Sequence, residues 1–272
     1  MFIWLPPSEG KSAPTTGPSL DLDSLAFPEL GPQRSAAIDE LAALSCRPDA
    51  AQILGLGARS ASDAQINTVI RNAPCARADQ VFTGVLYEAA QLANLDPESS
   101  GWAQDRVLIF SGLFGVLAPK DSIPNHRLAM GVTLPNLGKM SMYWKGTLDS
   151  VLRSRIENEP VLDMRSGPYQ SACPAHWATV IEVNVVQEVG SVRRTVSHNA
   201  KKWRGLLTGA LLRLNRDLLS VDEVLDAVQH VGSHVAFTDA SGREHRLANL
   251  ELGESVSSRR GGTRQSLTLV TA

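Results

Sequence analysis

The stretch Val107-Leu-Ile-Phe-Ser-Gly-Leu-Phe-Gly-Val-Leu-Ala-Pro119 decides how this chain folds. Its first four residues form an apolar run that is too short for a helix and typical of a strand buried on both faces. Ser111-Gly112 and Gly115 follow, and glycine permits a sharp turn or a close backbone approach. Ligands of α/β proteins collect in loops at the carboxyl ends of buried strands. Ser111 and Gly112 are therefore either a tight turn or part of a ligand site.

Two other short apolar runs end in the same way. Phe2 to Leu5 is stopped by two prolines and followed by Ser8-Glu-Gly-Lys11, and Val161 to Met164 is followed by Arg165-Ser-Gly-Pro-Tyr169. A small polar loop with one lysine at a strand end can hold an anion, although a solvated loop is the alternative. The loop after the first run is not a P-loop, because Leu5 stands where the first glycine would be. The recurrence of such loops predicts one shared anionic site that includes Ser8 and Lys11.

The chain combines these strands with segments of helical spacing, so we expect a mixed α/β (α+β) fold. It has 272 residues, of which 43% are hydrophobic and 20% charged, as in an ordinary globular protein. No linker divides it, and we predict a single domain over 1–272 with a central, mostly buried sheet and surrounding helices. Thr179 to Val186 is expected to pair with Val192 to Ser197 through a turn at Gly190-Ser191. We predict a hairpin that turns at Ser241-Gly242 after residue 235, and an edge strand over 267–270.

Composition limits the function classes. The formal net charge is −2 and the pI about 6.3, so an anionic partner must be bound by a local basic patch. Three scattered cysteines give neither a disulfide framework nor metal-ligand spacing, which favours a reducing cytoplasm. The amino terminus lacks signal-peptide features, and no segment approaches the roughly 20 apolar residues of a membrane span. We expect a cytoplasmic protein without a metal, a cofactor or a membrane partner.

Residues 35–72 predict a helix-hairpin-helix. A helical segment ends in Gly55-Leu-Gly57, and an alanine-rich helical run restarts after it. The backbone amides of Gly55, Gly57 and Ala58 could then face a DNA phosphate, with Arg59 adding charge. A purely structural helical hairpin with glycine is the alternative.

The densest basic cluster is Ser197-His-Asn-Ala-Lys-Lys-Trp-Arg-Gly205. It places Lys201, Lys202 and Arg204 in the first turn of a long helix, where positive charge opposes the helix dipole. This placement favours a bound anion over a solvated face. Arg127 lies beside apolar residues and is either an anion ligand or a paired core arginine, whereas we expect His126 at the surface.

In chain order, several segments together resemble the YaaA family, the peroxide-stress-associated UPF0246 group. They are Leu5-Pro-Pro-Ser-Glu-Gly-Lys11, Phe82-Thr-Gly84, Phe110-Ser-Gly-Leu-Phe-Gly-Val-Leu-Ala-Pro119, His126-Arg-Leu-Ala-Met-Gly131, Tyr143-Trp144 and Ala200-Lys-Lys-Trp-Arg-Gly205. The resemblance implies a fold particular to the family, a basic cleft, a helix-hairpin-helix, DNA binding and a role in limiting iron-driven oxidative damage to DNA. The chain departs from the family pattern at Ala129, which replaces a glutamate, at Trp203, and in its C-terminal quarter.

Two functions follow from these observations. In the first, DNA is bound through its backbone by the hairpin at Gly55 to Arg59 and by a cleft lined with Lys11, Arg127, Lys201, Lys202 and Arg204. In the second, an enzyme binds a small phosphorylated or carboxylated metabolite in the strand-end loops through Ser8, Lys11, Ser111, Gly112, Arg127 and Lys201. Candidates for its catalytic residues are Lys11, Glu88, Tyr143 and His198.

Overall fold

A computed structural model describes residues 1–189, 192–195, 197–239 and 242–271. The strands within these residues are β1 (Phe2–Leu5), β2 (Cys75–Arg77), β3 (Val107–Ser111), β4 (Gly115–Leu117), β5 (Ser122–Pro124), β6 (Thr133–Leu134), β7 (Gly138–Lys139), β8 (Val161–Asp163), β9 (Thr179–Val189), β10 (Val192–Thr195), β11 (Ala236–Thr238), β12 (Glu244–Leu252), β13 (Val256–Ser257) and β14 (Thr263–Thr271). The α-helices are α1 (Gly31–Ser45), α2 (Ala50–Ile53), α3 (Ala78–Val81), α4 (Val85–Ala90), α5 (Pro97–Arg106), α6 (Met140–Ile156), α7 (Pro168–Ala172), α8 (Ser197–Leu212) and α9 (Val221–Gly232). Three 3-10 helices cover Pro28–Leu30, Ala58–Val69 and Leu92–Asn94.

One large mixed sheet organises the molecule. Its strand order is β11-β12-β14-β9-β8-β1-β3-β4, with β10 beside β9 and β13 beside β14. The five strands β3, β1, β8, β9 and β14 run parallel, and antiparallel strands extend the sheet at both ends. The expected mixed α/β architecture with a large sheet is therefore present.

The central strands are buried on both faces, as their apolar sequences predict. Every residue of β1 is 0% exposed, and all residues of β3 are buried. β1 lies between β3 and β8, with Ile3 opposite both Val107 and Leu162. Because neither face of these strands contacts water, they lack the alternation of polar and apolar residues that a half-exposed strand shows.

A buried arginine connects the carboxyl ends of the three central strands. Arg165, just after β8, forms a two-pronged ion pair with Asp163, with Nε to Oδ1 at 2.8 Å and Nη2 to Oδ2 at 2.9 Å. Both side chains are 0% exposed. The guanidinium lies 4.3 Å from the ring centre of Trp4 and 4.0 Å from that of Phe110. One side chain therefore contacts β1, β3 and β8 through an ion pair and two cation–π contacts.

The C-terminal segment corrects one prediction. Residues 267–270 were expected in an edge strand, but they lie in β14, which is interior to the sheet between β12 and β9. β14 pairs in parallel with β9 from Thr263 to Thr271 and buries Leu267, Leu269 and Val270. A short apolar run shows that a strand is buried but not which strands flank it. Gly190, Ser191 and Ser241, where turns were expected, lie outside the described residues.

The predicted helix-hairpin-helix region is helical but irregular. α2 covers only Ala50–Ile53, and the run after the hairpin, Ala58–Val69, is a 3-10 helix. The hairpin itself is present, with Gly55 at a φ of 67° and Gly57 extended. A positive φ favours glycine at position 55. The backbone turn is therefore where the sequence placed it, and the identification of the region as a DNA-binding motif stays a prediction.

We expect Asp163→Asn to lower the free energy of unfolding by about 3–5 kcal/mol, because it leaves the buried Arg165 charge without its counter-ion. Urea unfolding followed by circular dichroism measures this change. Glu251→Gln is the control, since Glu251 pairs with Arg193 at an exposed position, and we expect a loss of under about 1 kcal/mol. Equal losses in the two variants would contradict the assignment of the buried pair as the structural lock.

Candidate functional site

A cavity of about 440 Å³ opens at the carboxyl ends of β1 and β8. It lies where the topology of the parallel sheet changes direction: the chain leaves β1 towards β3 on one side and leaves β8 towards β9 on the other. Crevices at such switch points are the usual ligand sites of open α/β sheets. We call this the strand-end cavity, and its lining residues are Pro6, Pro7, Ser8, Glu9, Gly10, Gly84, Val85, Leu86, Tyr87, Ser166, Tyr169, Lys201 and Arg204.

Glycines in α8 bring the basic segment to this cavity. A Cβ at Gly205 would collide with the Leu86 carbonyl, and one at Gly209 would collide with the Ala90 carbonyl. The absence of side chains at these positions allows α8 to pack directly against α4. Lys201, one turn before Gly205, is thereby brought to the cavity beside Leu86.

Two basic residues of α8 line the strand-end cavity in different ways. Lys201 is exposed. Arg204 is half-buried, and its Nε and Nη2 donate to the Val183 carbonyl at 3.1 and 2.7 Å. Burial lowers the pKa of Arg204, but a guanidinium remains charged in proteins. The cavity therefore has one exposed positive charge and one positive charge fixed by hydrogen bonds at its rim.

Lys11 lies beside the cavity wall in an environment that disfavours its charge. Its ammonium donates to the Ser8 carbonyl at 2.9 Å and lies 5.5 Å from the ring centre of Phe82. Burial lowers the pKa of Lys11 to about 8, the positive charge of Arg127 adds to the effect, and the Glu9 carboxylate opposes it. Lys11 is consequently charged at neutral pH but close to titration.

A second crevice, of about 510 Å³, lies on the other side of the loop that holds Lys11. We call it the hairpin crevice, and its lining residues are Glu9, Gly10, Leu54, Gly55, Leu56, Gly57, Ser60, Arg127, Leu128 and Ala129. Glu9 and Gly10 line both crevices, so the loop after β1 forms the wall between them. Arg59 is exposed next to this lining.

Arg127 forms an ion pair, which agrees with its interpretation as a paired arginine. Its Nη2 lies 2.7 Å from Asp63 Oδ2, and its Nη1 donates to the Glu9 carbonyl. The side chain is only 20% exposed, yet it lines the hairpin crevice. Arg127 thus connects the hairpin segment to the loop after β1.

His126 was expected at the surface and is instead 2% exposed. Its ring stands edge-on to Phe114, with ring centres 5.1 Å apart, and Nδ1 lies 2.9 Å from the Pro124 carbonyl. Burial lowers the pKa of His126 to about 3, and the nearby charge of Lys11 adds to the effect. The imidazole is neutral at physiological pH and serves packing.

Ser111 and Gly112 do not line either crevice. The Ser111 hydroxyl accepts from the amides of Leu113 and Phe114 at 3.3 and 3.2 Å, which closes the tight turn between β3 and β4. A Cβ at Gly112 would collide with the Leu128 carbonyl, and the Gly112 carbonyl accepts from the Trp144 indole at 2.8 Å. The tight-turn interpretation of this stretch describes the structure, and only two of the three strand-end loops converge.

Three further candidates, among the described side chains, lie apart from the strand-end cavity. Lys202 points away from it, with its ammonium 4.1 Å from the ring centre of Phe237 in β11. The Tyr143 hydroxyl donates to the Gln33 carbonyl at 2.9 Å. Glu88 lines a separate crevice on the far side of α4. The side chain of His198 lies outside the part of the chain that the structure describes.

Sequence reasoning missed the residues that give the cavity its apolar wall. Leu86 and Tyr87, in α4, were not among the candidate site residues, and Tyr169 was named only as part of a loop. The Tyr87 hydroxyl donates to the Pro6 carbonyl at 2.7 Å, which fixes α4 to the loop after β1. Aromatic residues next to strand-end loops were the available signal, but periodicity assigns such residues to the core.

Comparisons with known proteins place these features in a family. Residues 1–229 match the family described as peroxide stress protein YaaA. The chain is 34% identical over 239 residues to a UPF0246 protein of Streptomyces coelicolor, covering 86% of this chain and 92% of the relative. It is 36% identical over 251 residues to a UPF0246 protein of Corynebacterium efficiens, covering 91% and 98%. An uncharacterized Campylobacter jejuni protein is 27% identical over 76% of this chain and 82% of its own length.

Two further properties of the described residues concern membrane and metal binding. None of the helices among the described residues is long and apolar enough to cross a membrane. Within the same part of the chain, no three His, Cys, Asp or Glu side chains are grouped so that they could hold a metal ion.

We expect Gly205→Ala to destabilise the protein by about 1–3 kcal/mol, because the added methyl group forces α8 away from the Leu86 carbonyl. Thermal unfolding measures the change. Gly146→Ala is the matched control: Gly146 lies within α6 with open space around it, and alanine should stabilise the helix by about 0.5–1 kcal/mol. Gains of similar size in both variants would contradict the close helix contact.

We expect the ammonium of Lys11 to lose its proton about pH 8, well below an ordinary lysine. Protein labelled with ¹³C at lysine Cε, titrated between pH 6 and 11 by NMR, measures this directly. The early-titrating signal should be absent from Lys11→Arg, which assigns it. Titration of every lysine signal near the ordinary value of about 10.4 would contradict the described burial of Lys11.

Proposed function

The chain belongs to the peroxide stress protein YaaA family, and we propose that it acts in peroxide stress by binding DNA. The binding is to the phosphate backbone and independent of base sequence. A protein that covers DNA in this way limits the access of iron and peroxide to it, and thereby limits iron-driven damage.

The observation that carries this proposal is that a glycine turn and basic side chains meet in the hairpin crevice. The glycine hairpin at Gly55 to Gly57 and Arg127 line the same crevice as the loop after β1. Backbone amides at a glycine turn can approach a phosphate closely. At this turn the Gly55 amide already donates to the Gln52 carbonyl at 3.1 Å, so the proposed contacts are made by the amides of Gly57 and Ala58, and basic side chains beside the turn supply attraction. These contacts carry no base readout, which is why the proposed binding is non-specific.

The charges near this surface support the proposal although the whole protein is slightly acidic. Arg59 and Lys201 are exposed, and Lys11, Arg127 and Arg204 are partly buried. A local basic patch is sufficient to attract DNA when the net charge is near zero. Lys202 is not included, because its ammonium lies against Phe237.

A second candidate function is supported by the strand-end cavity. Its volume, about 440 Å³, is within the range of roughly 300–1,000 Å³ that small-molecule sites occupy. An enzyme that acts on a phosphorylated or carboxylated metabolite would bind its anion at Ser8, Lys201 and Arg204. Of the acid–base candidates from the sequence, Lys11 lies next to this cavity, whereas Glu88 and Tyr143 do not line it.

We expect Arg59→Gln to weaken binding of a duplex and to reduce the slope of log affinity against log salt by about 1, since one phosphate contact is lost. Fluorescence anisotropy of a labelled duplex over a salt series measures both quantities. Two duplexes of different sequence should lose affinity equally, because a phosphate contact carries no sequence information.

Arg246→Gln is the charge-matched control. Arg246 is exposed on β12, paired with Glu244, and separated from β1 by β14, β9 and β8. It should leave affinity and salt slope unchanged. Equal binding by wild type and Arg59→Gln would show that the hairpin is not part of the DNA interface. Absence of duplex binding by wild type at low salt would overturn the proposed function.

A further inference from the structure

We infer that the strand-end cavity binds a single nucleotide, with the base against its apolar wall and the phosphate at Lys201 and Arg204. The nucleotide is either free in solution or extruded from a DNA duplex held by the neighbouring hairpin crevice. Only the extruded source rests on the proposed function. The cavity is too small for a double helix, so duplex DNA can enter it only one nucleotide at a time.

The lining of the cavity contains groups suited to both ends of a nucleotide. Its apolar part consists of Pro6, Pro7, Val85, Leu86, Tyr87 and Tyr169. Apolar and aromatic side chains of this kind are the surfaces on which proteins stack unpaired bases. Its polar part includes Ser8, Ser166, Lys201 and Arg204. A hydroxyl, an ammonium and a guanidinium are the groups that bind phosphate.

The geometry of the basic side fixes where the phosphate would lie. The two hydrogen bonds from Arg204 to the Val183 carbonyl hold its guanidinium in place. Lys201 is one turn of α8 away from Gly205, whose contact with Leu86 sets the distance between the basic rim and the apolar wall. Ser8 is held against Gly84, where a Cβ would lie 2.8 Å from the Ser8 hydroxyl.

Glu9 adds a preference among bases. Glu9 and Tyr169 belong to the same cavity lining, and the negative charge of Glu9 opposes the lowering of the Lys11 pKa that burial causes. Glu9 is exposed and lines the cavity. A carboxylate repels phosphate but accepts hydrogen bonds from the exocyclic amino group of adenine, cytosine or guanine. Thymine has no exocyclic amino group and can donate only through N3–H, which its two flanking carbonyl oxygens shield from a carboxylate, so we expect the cavity to bind thymine most weakly.

The shared wall links this cavity to the DNA surface. Glu9 and Gly10 separate the strand-end cavity from the hairpin crevice. A duplex whose backbone lies along the hairpin crevice thus passes the mouth of the cavity. Proteins that extrude a base bind it in a pocket lined by aromatic and apolar side chains, and extrusion costs least at mismatched or damaged bases.

The test uses two probes with the full chain. The first is a duplex with 2-aminopurine at a mismatch, whose fluorescence rises when the base leaves the stack. The second is a set of the four free deoxynucleoside monophosphates, followed by calorimetry. Three variants accompany wild type: Lys201→Gln removes a phosphate contact, Ser166→Trp fills the cavity from an exposed position, and Lys202→Gln is the matched control from the same helix.

We expect wild type and Lys202→Gln to raise 2-aminopurine fluorescence. In Lys201→Gln the affinity read from this rise should be roughly tenfold weaker, which is the loss expected for one charged hydrogen bond. Ser166→Trp should give no rise. Binding of free monophosphates with the same variant pattern, and weakest for thymidine monophosphate, identifies the free nucleotide as the occupant. Either probe responding in this pattern supports the inference.

The inference is overturned if neither probe responds in wild type, or if the response is the same in Ser166→Trp. Duplex anisotropy measured in parallel separates this result from failure of the proposed function. Duplex binding without either response leaves DNA binding in place and removes the nucleotide cavity. Monophosphate binding without duplex binding removes DNA binding and leaves the cavity.

Discussion

The ion pair between Asp163 and Arg165 is the interaction on which the rest of the structure depends. A charge that is fully removed from water is costly unless it is paired and its other donors are satisfied. Arg165 meets this condition with Asp163 and with the carbonyls of Tyr169 and Cys173. Because the guanidinium also lies against the rings of both Trp4 and Phe110, the requirement fixes the relative positions of β8, β1 and β3. The strand-end cavity is formed by the loops that leave two of these strands.

A second constraint positions the charges around that cavity. Helix α8 follows the long strand β9 and hairpin partner β10, far from β1 in sequence, yet Gly205 and Gly209 let it approach α4 closely. The approach brings Lys201 and Arg204 to the cavity and leaves Lys202 on the opposite side, against Phe237. The rim is therefore built by backbone contact, and the guanidinium of Arg204 is held in position by the Val183 carbonyl.

Several elements could be predicted from the sequence because local chemistry determines them. The buried strands β1, β3 and β8 follow from short apolar runs with punctuating proline or glycine, and the turn at Gly55 follows from the need for a positive φ. The same reasoning did not show whether the candidates Ser111, Gly112 and Tyr143 bind a ligand. A serine in a strand-end turn has the same sequence signature whether it binds a ligand or, like Ser111, accepts from the amides of its own turn.

By itself, the sequence determined the mixed α/β class, the positions of the central strands, the glycine turn at Gly55 and the family to which the chain belongs. Each of these depends on periodicity, on backbone freedom or on the order of short segments, all of which are local properties. Only the tertiary structure decided that β14 lies inside the sheet, that two of three strand-end loops converge, and that Lys201 lines the cavity whereas Lys202 lies against Phe237. The reason is physical: neighbouring residues on a helix point about 100° apart, and which of them meets a cavity depends on contacts between segments that are distant in the chain.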